Sequence, residues 1–205
     1  MDVLLLVDVQ NDFLPGGSLA VPQGDEIIPL LNKLQKQFPL VVATQDWHPH
    51  NHGSFATSHE GKKEFETTML GDLEQILWPD HCVQGHRGAG FAKELNLNRV
   101  EAIFRKGTDP EIDSYSGFFD NGKLKSTGLA DYLKGRGVKR VFAGGLAADF
   151  CVGFTVKDAL ELGFETFLIE DATRPIDPEG WQKMKTEITR MGGEIINSSR
   201  IESLI

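Results

Sequence analysis

The chain has 205 residues, of which 40% are hydrophobic and 25% are charged, as is ordinary for one globular domain. Its 30 acidic and 21 basic side chains give a net charge of −9, so we expect neither nucleic acid nor a membrane surface as its partner. Two cysteines are too few for a disulfide framework, and the N-terminal segment lacks the features of a signal peptide, so we expect a cytoplasmic protein.

Short apolar segments alternate with helical patterns along the chain. Each segment is continuously apolar, as is typical of strands buried on both faces of a parallel sheet. The predicted strands are Val3–Val7, Leu40–Thr44, Val100–Phe104, Arg140–Ala143, Thr166–Ile169 and Glu194–Ile196. We therefore predict an α/β fold: a single doubly wound, Rossmann-like domain over residues 1–205, with a central, mostly parallel six-stranded sheet flanked by helices.

Helix signals occupy the segments between these strands. Apolar residues recur at helical spacing at positions 27, 30, 31 and 34, and a similar stripe begins at Leu129. Asp149 is predicted to cap a helix that runs to Leu162. Asp177 is predicted to cap the last long helix, with Pro178 at its first position.

Reactive side chains follow the predicted strands, at the sheet edge where ligands bind in open parallel sheets. Asp8 follows the first strand and Lys106 the third, while Cys151 lies two residues after the predicted cap, where a helix N-terminus favours a thiolate. Taken alone, Asp8 is more readily a turn residue and Lys106 a solvated charge. Their shared placement predicts a nucleophilic thiol with Asp8 as general base or acid and Lys106 as a stabilising cation.

A loop excursion from about residue 46 to residue 90 interrupts the alternation and contains all six histidines. Asp46, His48 and His52 at close spacing, with His81 further along, have the donor types of a site for Zn²⁺, Fe²⁺ or Mn²⁺. Such an ion could orient a heteroaromatic ring nitrogen as a Lewis acid. The alternative is a set of polar loop histidines, and that interpretation is given to His50, His59 and His86.

Aromatic residues are predicted near the same sheet edge. Phe13, Trp78 and Tyr115 could bind a planar ring between flat side chains, although packing in the core would use the same residue types. The second cysteine, Cys82, has no placement that suggests chemistry and is predicted to be structural.

Six segments resemble, in chain order, those of the nicotinamidases, which belong to the isochorismatase-like cysteine hydrolases. They are LLLVDVQNDFLPGGSLAVP, TQDWHPHNHGSF, WPDHCVQG, FRKG, DSYSGFFDNG and GGLAADFCV. The resemblance extends roughly from Val3 to Asp171. It implies an isochorismatase-like fold and hydrolysis of nicotinamide to nicotinate and ammonia through a cysteine thioester, in NAD salvage, with pyrazinamide as a further substrate.

The resemblance also implies roles for individual residues. The catalytic triad would be Cys151, Asp8 and Lys106. The metal ligands would be Asp46, His48 and His81, with zinc expected first and iron or manganese as alternatives, and His52 matches a position that is a ligand in only some members. A cis peptide would precede Ala147, and the oxyanion hole would consist of the N–H groups of Ala147 and Cys151. The substrate would contact Phe13, Trp78, Leu146 and Tyr115.

Two other functions remain open at this point. Another cysteine amidase of the same superfamily, acting on a carbamoyl or ureido substrate, would share the triad without needing the metal. A non-catalytic metal-binding module would contain the histidine cluster with an inert Cys151. The sequence also leaves open whether the chain forms a homo-oligomer.

Overall fold

A computed structural model describes all 205 residues. The strands are β1 Asp2–Val7, β2 Leu40–Asp46, β3 Thr67–Leu70, β4 Leu73–Ile76, β5 Val100–Lys106, β6 Arg140–Leu146, β7 Glu165–Arg174 and β8 Glu194–Ile196. The α-helices are α1 Ile28–Leu34, α2 Leu129–Gly135, α3 Gly153–Glu161, α4 Pro178–Arg190 and α5 Ile201–Leu204. No helix combines the length and apolar character that crossing a membrane requires.

The central sheet has six strands in the order β5-β2-β1-β6-β7-β8, and every pairing in it is parallel. The chain leaves β1 toward β2 on one side and later returns to β6 on the other side. The strand order therefore reverses between β1 and β6, and the crevice at such a switch point is where ligands bind in this architecture. The predicted doubly wound α/β fold with a six-stranded parallel sheet is confirmed.

Both faces of the sheet are covered by helices. Successive side chains of a strand point to opposite faces, so Leu4 and Leu6 of β1 pack in one core with α1, while Val3 and Leu5 pack in the other with α2, α3 and α4. Because β1, β2 and β6 are buried on both faces, their residues are apolar without alternation, whereas the edge strand β5 alternates between half-buried and exposed residues. The predicted segments located all six strands of the sheet.

Two of the strands extend further than the apolar runs indicated. The hydrophobic residues of β2 stop near Thr44 and those of β5 at Phe104, but backbone pairing continues to Asp46 and Lys106. These last two residues are direct partners in the register of β2 with β5. Two polar side chains are therefore placed next to each other by the sheet itself.

The N-terminus of α4 is capped as predicted. The side chain of Asp177 accepts hydrogen bonds from the N–H groups of Glu179 and Gly180, and Pro178 stands at the first helical position. The cap satisfies two of the backbone donors that a helix leaves unpaired in its first turn.

The predicted cap at Asp149 is wrong. A π-helical turn over Ala148–Val152 precedes α3, and its N-cap residue is Ala147, so Asp149 lies inside the turn rather than in front of it. Its carboxylate instead accepts hydrogen bonds from the N–H groups of Ile176 and Asp177, at 2.9 and 2.7 Å. Asp149 therefore links the turn that contains Cys151 to the loop between β7 and α4.

The excursion after β2 contains the antiparallel hairpin β3–β4, which was not predicted because its strands are short and partly exposed. Isolated backbone bridges join His48 to Val83 and Phe55 to Trp78. The segments 48–55 and 78–83 of the excursion consequently lie side by side, which brings His48 close to His81.

Candidate active site

The structure brings the predicted triad together at the switch point of the sheet. Asp8 follows β1, Lys106 ends β5, and Cys151 lies in the π-helical turn after β6. The ammonium Nζ of Lys106 lies 3.0 Å from Oδ2 of Asp8 and 3.4 Å from Sγ of Cys151. All three residues are buried, so their charges interact with little screening by water.

The charges of Asp8 and Lys106 depend on each other. Burial disfavours the ammonium of Lys106, but the carboxylates of Asp46 and Asp8 outweigh burial and hold its pKa well above the usual value. Burial also raises the pKa of Asp8, and Lys106 opposes that shift. Lys106 therefore stays a cation. The raised pKa of Asp8 increases its affinity for a proton, which suits a general base that later donates the same proton.

The thiol of Cys151 is not activated by its position near a helix N-terminus alone. Burial raises its pKa well above the usual value, and the charges of Asp8 and Asp46 and a hydrogen bond to Asp8 add to the shift, against the opposing effect of Lys106. Burial therefore opposes the thiolate that a helix N-terminus favours, so the predicted nucleophilic role requires that a base remove the proton of Cys151 during the reaction.

Two polar residues that the sequence analysis did not single out hold the acids in place. Thr44 donates a hydrogen bond from Oγ1 to Oδ1 of Asp8 at 2.6 Å. Gln10 donates to the carbonyl of Asp46 and accepts from its N–H, both at 2.8 Å. Gln10 lies two residues after Asp8 in the segment DVQND. Its side chain is fully buried, but nothing in the sequence distinguished it from an ordinary polar residue.

Asp46, His48 and His81 form a buried group that could hold a metal ion. One ligand atom from each lies within 4.8 Å of the others. Nε2 of His48 is 3.3 Å from Oδ2 of Asp46, and Nε2 of His81 is 3.6 Å from the same oxygen. Burial opposes ionisation of Asp46, but His48 and Lys106 outweigh it and hold the pKa of this carboxyl well below its usual range.

The hydrogen bonds behind the two imidazoles fit a metal site. Nδ1 of His48 contacts the carbonyl of Gly107 and Nδ1 of His81 contacts that of Pro79, both at 2.8 Å. Since a carbonyl oxygen only accepts, each Nδ1 carries a proton, and each Nε2 faces Asp46, where it can donate to the carboxylate in the protonated ring or bind a metal ion in the neutral ring. Ligating histidines are oriented in this way by their outer hydrogen bonds, and one carboxylate with two imidazoles is a donor set that suits zinc and similar ions.

His52 lies beside this group with a different hydrogen-bond pattern. Its Nδ1 accepts from the N–H of Ser54 at 3.1 Å, so the proton of the neutral ring is on Nε2, which is buried without a partner. Burial and the neighbouring His48 lower the pKa of His52 to about 4, so the ring is neutral at physiological pH. One ligand atom of His52 lies within 4.8 Å of one from His48 and one from Asp113, so His52 stays a possible ligand, as predicted.

The remaining three histidines lie outside the cluster. His50 and His86 are exposed on the loop, and His59 contacts the carbonyl of Gly53 through Nε2. Cys82 is buried, and its N–H donates to the carboxylate of Asp12 at 2.7 Å. Burial raises the pKa of the Cys82 thiol well above the usual value, which agrees with a structural role.

A mainly apolar cavity connects the triad with the possible metal group. Its lining comprises Phe13, Leu19, Asp46, Trp78, His81, Asp113, Tyr115, Ala147, Phe150, Cys151 and Ile176. Trp78 packs edge-on against Phe150 with ring centroids 4.9 Å apart, and against Tyr115 at 6.2 Å. A flat ring in this cavity would meet imidazole and carboxylate groups on one side and the thiol on another.

The sequence analysis found part of this lining. Phe13, Trp78 and Tyr115 line the cavity, but the side chain of Leu146 does not. Leu146 is the last residue of β6, and its side chain is fully buried in the core on the face of the sheet that α1 covers. The peptide between Leu146 and Ala147 is cis, as the resemblance implied, and Ala147 and Cys151 both border the cavity.

Four cavity residues were not predicted: Leu19, Asp113, Phe150 and Ile176. Asp113 accepts a hydrogen bond from the N–H of Ser114 and another from the amide of Gln75, which reaches it from the β3–β4 hairpin. Phe150 adjoins Cys151 in a turn whose geometry was not foreseen. Ile176 lies in a loop with no distinguishing composition, so no signal in the sequence marked it.

The chain is similar to a known protein family and to a bacterial enzyme. The isochorismatase domain family matches residues 2–200. The nicotinamidase of Acinetobacter baylyi is 49% identical over 186 residues, which cover 88% of this chain and 87% of the relative.

Solved structures gave further matches. The nicotinamidase and pyrazinamidase of Acinetobacter baumanii superimposes with a TM-score of 0.96 at 46% identity, over 98% of this chain and 97% of that one. The yeast nicotinamidase bound to the inhibitor nicotinaldehyde gives a TM-score of 0.90 at 34% identity, over 97% and 100%. The pyrazinamidase of Pyrococcus horikoshii in complex with zinc gives 0.79 at 40% identity, over 96% and 98%.

Proposed function

The chain belongs to the isochorismatase family, and we propose that it hydrolyses nicotinamide to nicotinate and ammonia with Cys151 as the nucleophile. One observation carries this proposal: Cys151 of the buried triad and Asp46 and His81 of the possible metal group line the same mainly apolar cavity. Nicotinamide offers a carboxamide for the thiol and a ring nitrogen for a Lewis acid. The nicotinamidases of Acinetobacter baylyi and Escherichia coli are 49% and 47% identical to this chain over 186 and 178 residues.

The first half of the reaction forms a thioester. Asp8 takes the proton of Cys151, and the sulfur attacks the carboxamide carbon, so that the C=O bond becomes an oxyanion. The N–H groups of Ala147 and Cys151 are proposed to bind this oxyanion. Asp8 then donates its proton to the amide nitrogen, the C–N bond breaks, and ammonia leaves.

The second half of the reaction hydrolyses the thioester. Asp8, again a carboxylate, takes a proton from water as the water oxygen attacks the thioester carbon, and the C–S bond breaks as Cys151 regains a proton. Nicotinate leaves with a negative charge. Throughout the cycle, the ammonium of Lys106 stabilises negative charge on Asp8 and on the sulfur, both of which lie within 3.4 Å of it.

Asp46, His48 and His81 are proposed to hold a divalent ion, with zinc first and iron or manganese as alternatives. Bound there, the ion supplies a Lewis acid for the ring nitrogen of the substrate. Phe13, Trp78 and Tyr115 are proposed to hold the ring by flat contact. Pyrazinamide has the same carboxamide on a six-membered ring with nitrogen, and we expect it to be a second substrate.

The test is ammonia release from nicotinamide by the purified protein, with its metal content measured in the same preparation. A carbamoyl or ureido amide is assayed in parallel, because a related amidase would prefer that substrate. We expect nicotinamide to be turned over much faster. A protein that binds metal but releases no ammonia from nicotinamide would contradict the proposal, and preferential cleavage of the ureido amide would assign it to the related amidases.

A further inference from the structure

We propose that Thr44 is a positioning residue for the reaction: its hydroxyl orients the carboxylate of Asp8 so that Oδ2 faces the ammonium of Lys106, which also contacts Sγ of Cys151. This inference rests on the proposed function, because it assumes that Asp8 accepts the proton of Cys151. Thr44 does not line the cavity and would not touch the substrate.

The two oxygens of Asp8 have different surroundings. Oδ1 accepts the hydrogen bond from Thr44 at 2.6 Å, whereas Oδ2 receives no well-formed hydrogen bond and has Lys106 Nζ at 3.0 Å. Both Thr44 and Asp8 are fully buried, so water does not compete for either oxygen. One oxygen is thus occupied by a neutral donor, and the other is left for proton transfer.

The backbone alone does not determine which oxygen of Asp8 faces Lys106. Asp8 follows β1 with a φ of 47°, in the left-handed region, and the terminal torsion of an aspartate side chain is broad. A carboxylate can therefore rotate and exchange its oxygens unless something binds one of them. The hydroxyl of Thr44, on the adjacent strand β2, provides that contact.

The direction of the Thr44 hydroxyl is itself restricted. Threonine is branched at Cβ and has few χ1 rotamers. Its methyl group Cγ2 packs so closely against Gly117 that a Cβ added at Gly117 would lie 2.6 Å from it. Gly117 is in turn held by a hydrogen bond from its N–H to Oγ1 of Thr155 at 2.8 Å. Rotation of Thr44 away from Asp8 is therefore opposed by its packing.

The first test compares Thr44→Val with Thr44→Ser. Valine keeps the branched shape and removes the donor, whereas serine keeps the donor. We expect Thr44→Val to lower kcat roughly ten- to hundredfold, as expected for loss of one hydrogen bond to a charged group, with KM unchanged. Thr44→Ser should retain most of the wild-type kcat. A Thr44→Val enzyme with a kcat within about twofold of the wild type, or a loss that serine does not reverse, overturns the proposal.

Thr166→Val is the matched control. Thr166 is also a buried strand residue whose hydroxyl makes one hydrogen bond, to the carbonyl of Phe164 at 3.0 Å, but it lies at the opposite end of the sheet. We expect the same substitution there to leave kcat unchanged. If Thr166→Val lowers kcat as much as Thr44→Val does, the effect belongs to sheet stability and the proposal fails.

A double-mutant cycle separates this inference from the proposed function. In an Asp8→Asn background, Thr44→Val should cause no further loss of the residual kcat, because the group it orients is no longer a base. An additional loss equal to that in the wild-type background overturns the positioning role. Failure of the proposed function is recognised separately: Asp8→Asn or Cys151→Ala would then turn over nicotinamide at the wild-type rate.

Discussion

Asp46 and Lys106 are register partners on adjacent strands, and Nζ of Lys106 lies 2.8 Å from Oδ1 of Asp46. The other oxygen of Asp46 faces His48 and His81. One buried carboxylate therefore contacts both the proposed catalytic cation and the proposed metal group. Because buried charges are weakly screened, a change of charge in the metal group alters the pKa values of the catalytic residues, and the reverse also holds.

We predict that removing the metal abolishes turnover reversibly. Chelation should lower ammonia release, and added Zn²⁺, Fe²⁺ or Mn²⁺ should restore it, with the most effective ion identifying the native one. His48→Ala should bind little metal, whereas the exposed His86→Ala should bind it normally. Metal-free protein that hydrolyses nicotinamide at the normal rate would show that the metal role is wrong.

Cys151→Ala should lower ammonia release by at least about 10³-fold, because no other group in the cavity can form the thioester. Metal content should be unchanged, since Cys151 is not among the proposed ligands. Cys82→Ala removes the only other thiol and should retain most of the turnover. Undiminished activity in Cys151→Ala would remove the thiol from the mechanism.

Asp8→Asn should change turnover and thiol reactivity in opposite directions. Loss of the base should lower kcat about 10²- to 10⁴-fold. Burial is the main cause of the raised pKa of Cys151, but the negative charge of Asp8 adds to it, so the variant has a lower thiol pKa and more thiolate at a fixed neutral pH. Alkylation by iodoacetamide, followed by mass spectrometry, should therefore become faster. Slower alkylation together with slower turnover would contradict this electrostatic description.

Gly107→Ala should weaken metal binding. Gly107 has a φ of 63°, its carbonyl accepts the hydrogen bond from His48, and an added Cβ would overlap the His48 ring. Gly61→Ala is the control, since Gly61 has a φ of 74° and open space where its Cβ would be. We expect both variants to lose some stability but only Gly107→Ala to lose metal affinity by titration. Equal metal affinity in the two variants would contradict the role of this close approach.

Asp149→Ala should lower stability and raise KM together. The change leaves two backbone N–H groups, those of Ile176 and Asp177, without their acceptor, which should cost about 1–3 kcal/mol in urea unfolding. Because Ile176 lines the cavity, KM for nicotinamide should rise. Asp177→Ala removes only the cap of α4, so a loss of about 1 kcal/mol with unchanged KM is expected. An unchanged KM in Asp149→Ala would argue against its link to the cavity.

Local patterns in the sequence were sufficient to predict the sheet and the residue types at its carboxyl edge. Apolar runs without alternation report strands that are buried on both faces, and the ends of those runs placed Asp8, Asp46, Lys106 and Cys151 near one another. The histidine-rich excursion predicted the kind of metal group that the structure assembles. These features follow from local patterns, because the burial of a strand depends on its own side chains.

How those groups are held depends on contacts between distant parts of the chain. Burial raises the pKa of Cys151, and the carboxylate of Asp149 bonds to the N–H of Ile176 instead of capping a helix. Leu146 packs in the core, and Thr44 donates a hydrogen bond to Asp8. A pKa, a hydrogen-bond partner and the direction of a side chain depend on atoms from distant strands and turns. No spacing along the chain specifies those distances, so only the folded arrangement determines them.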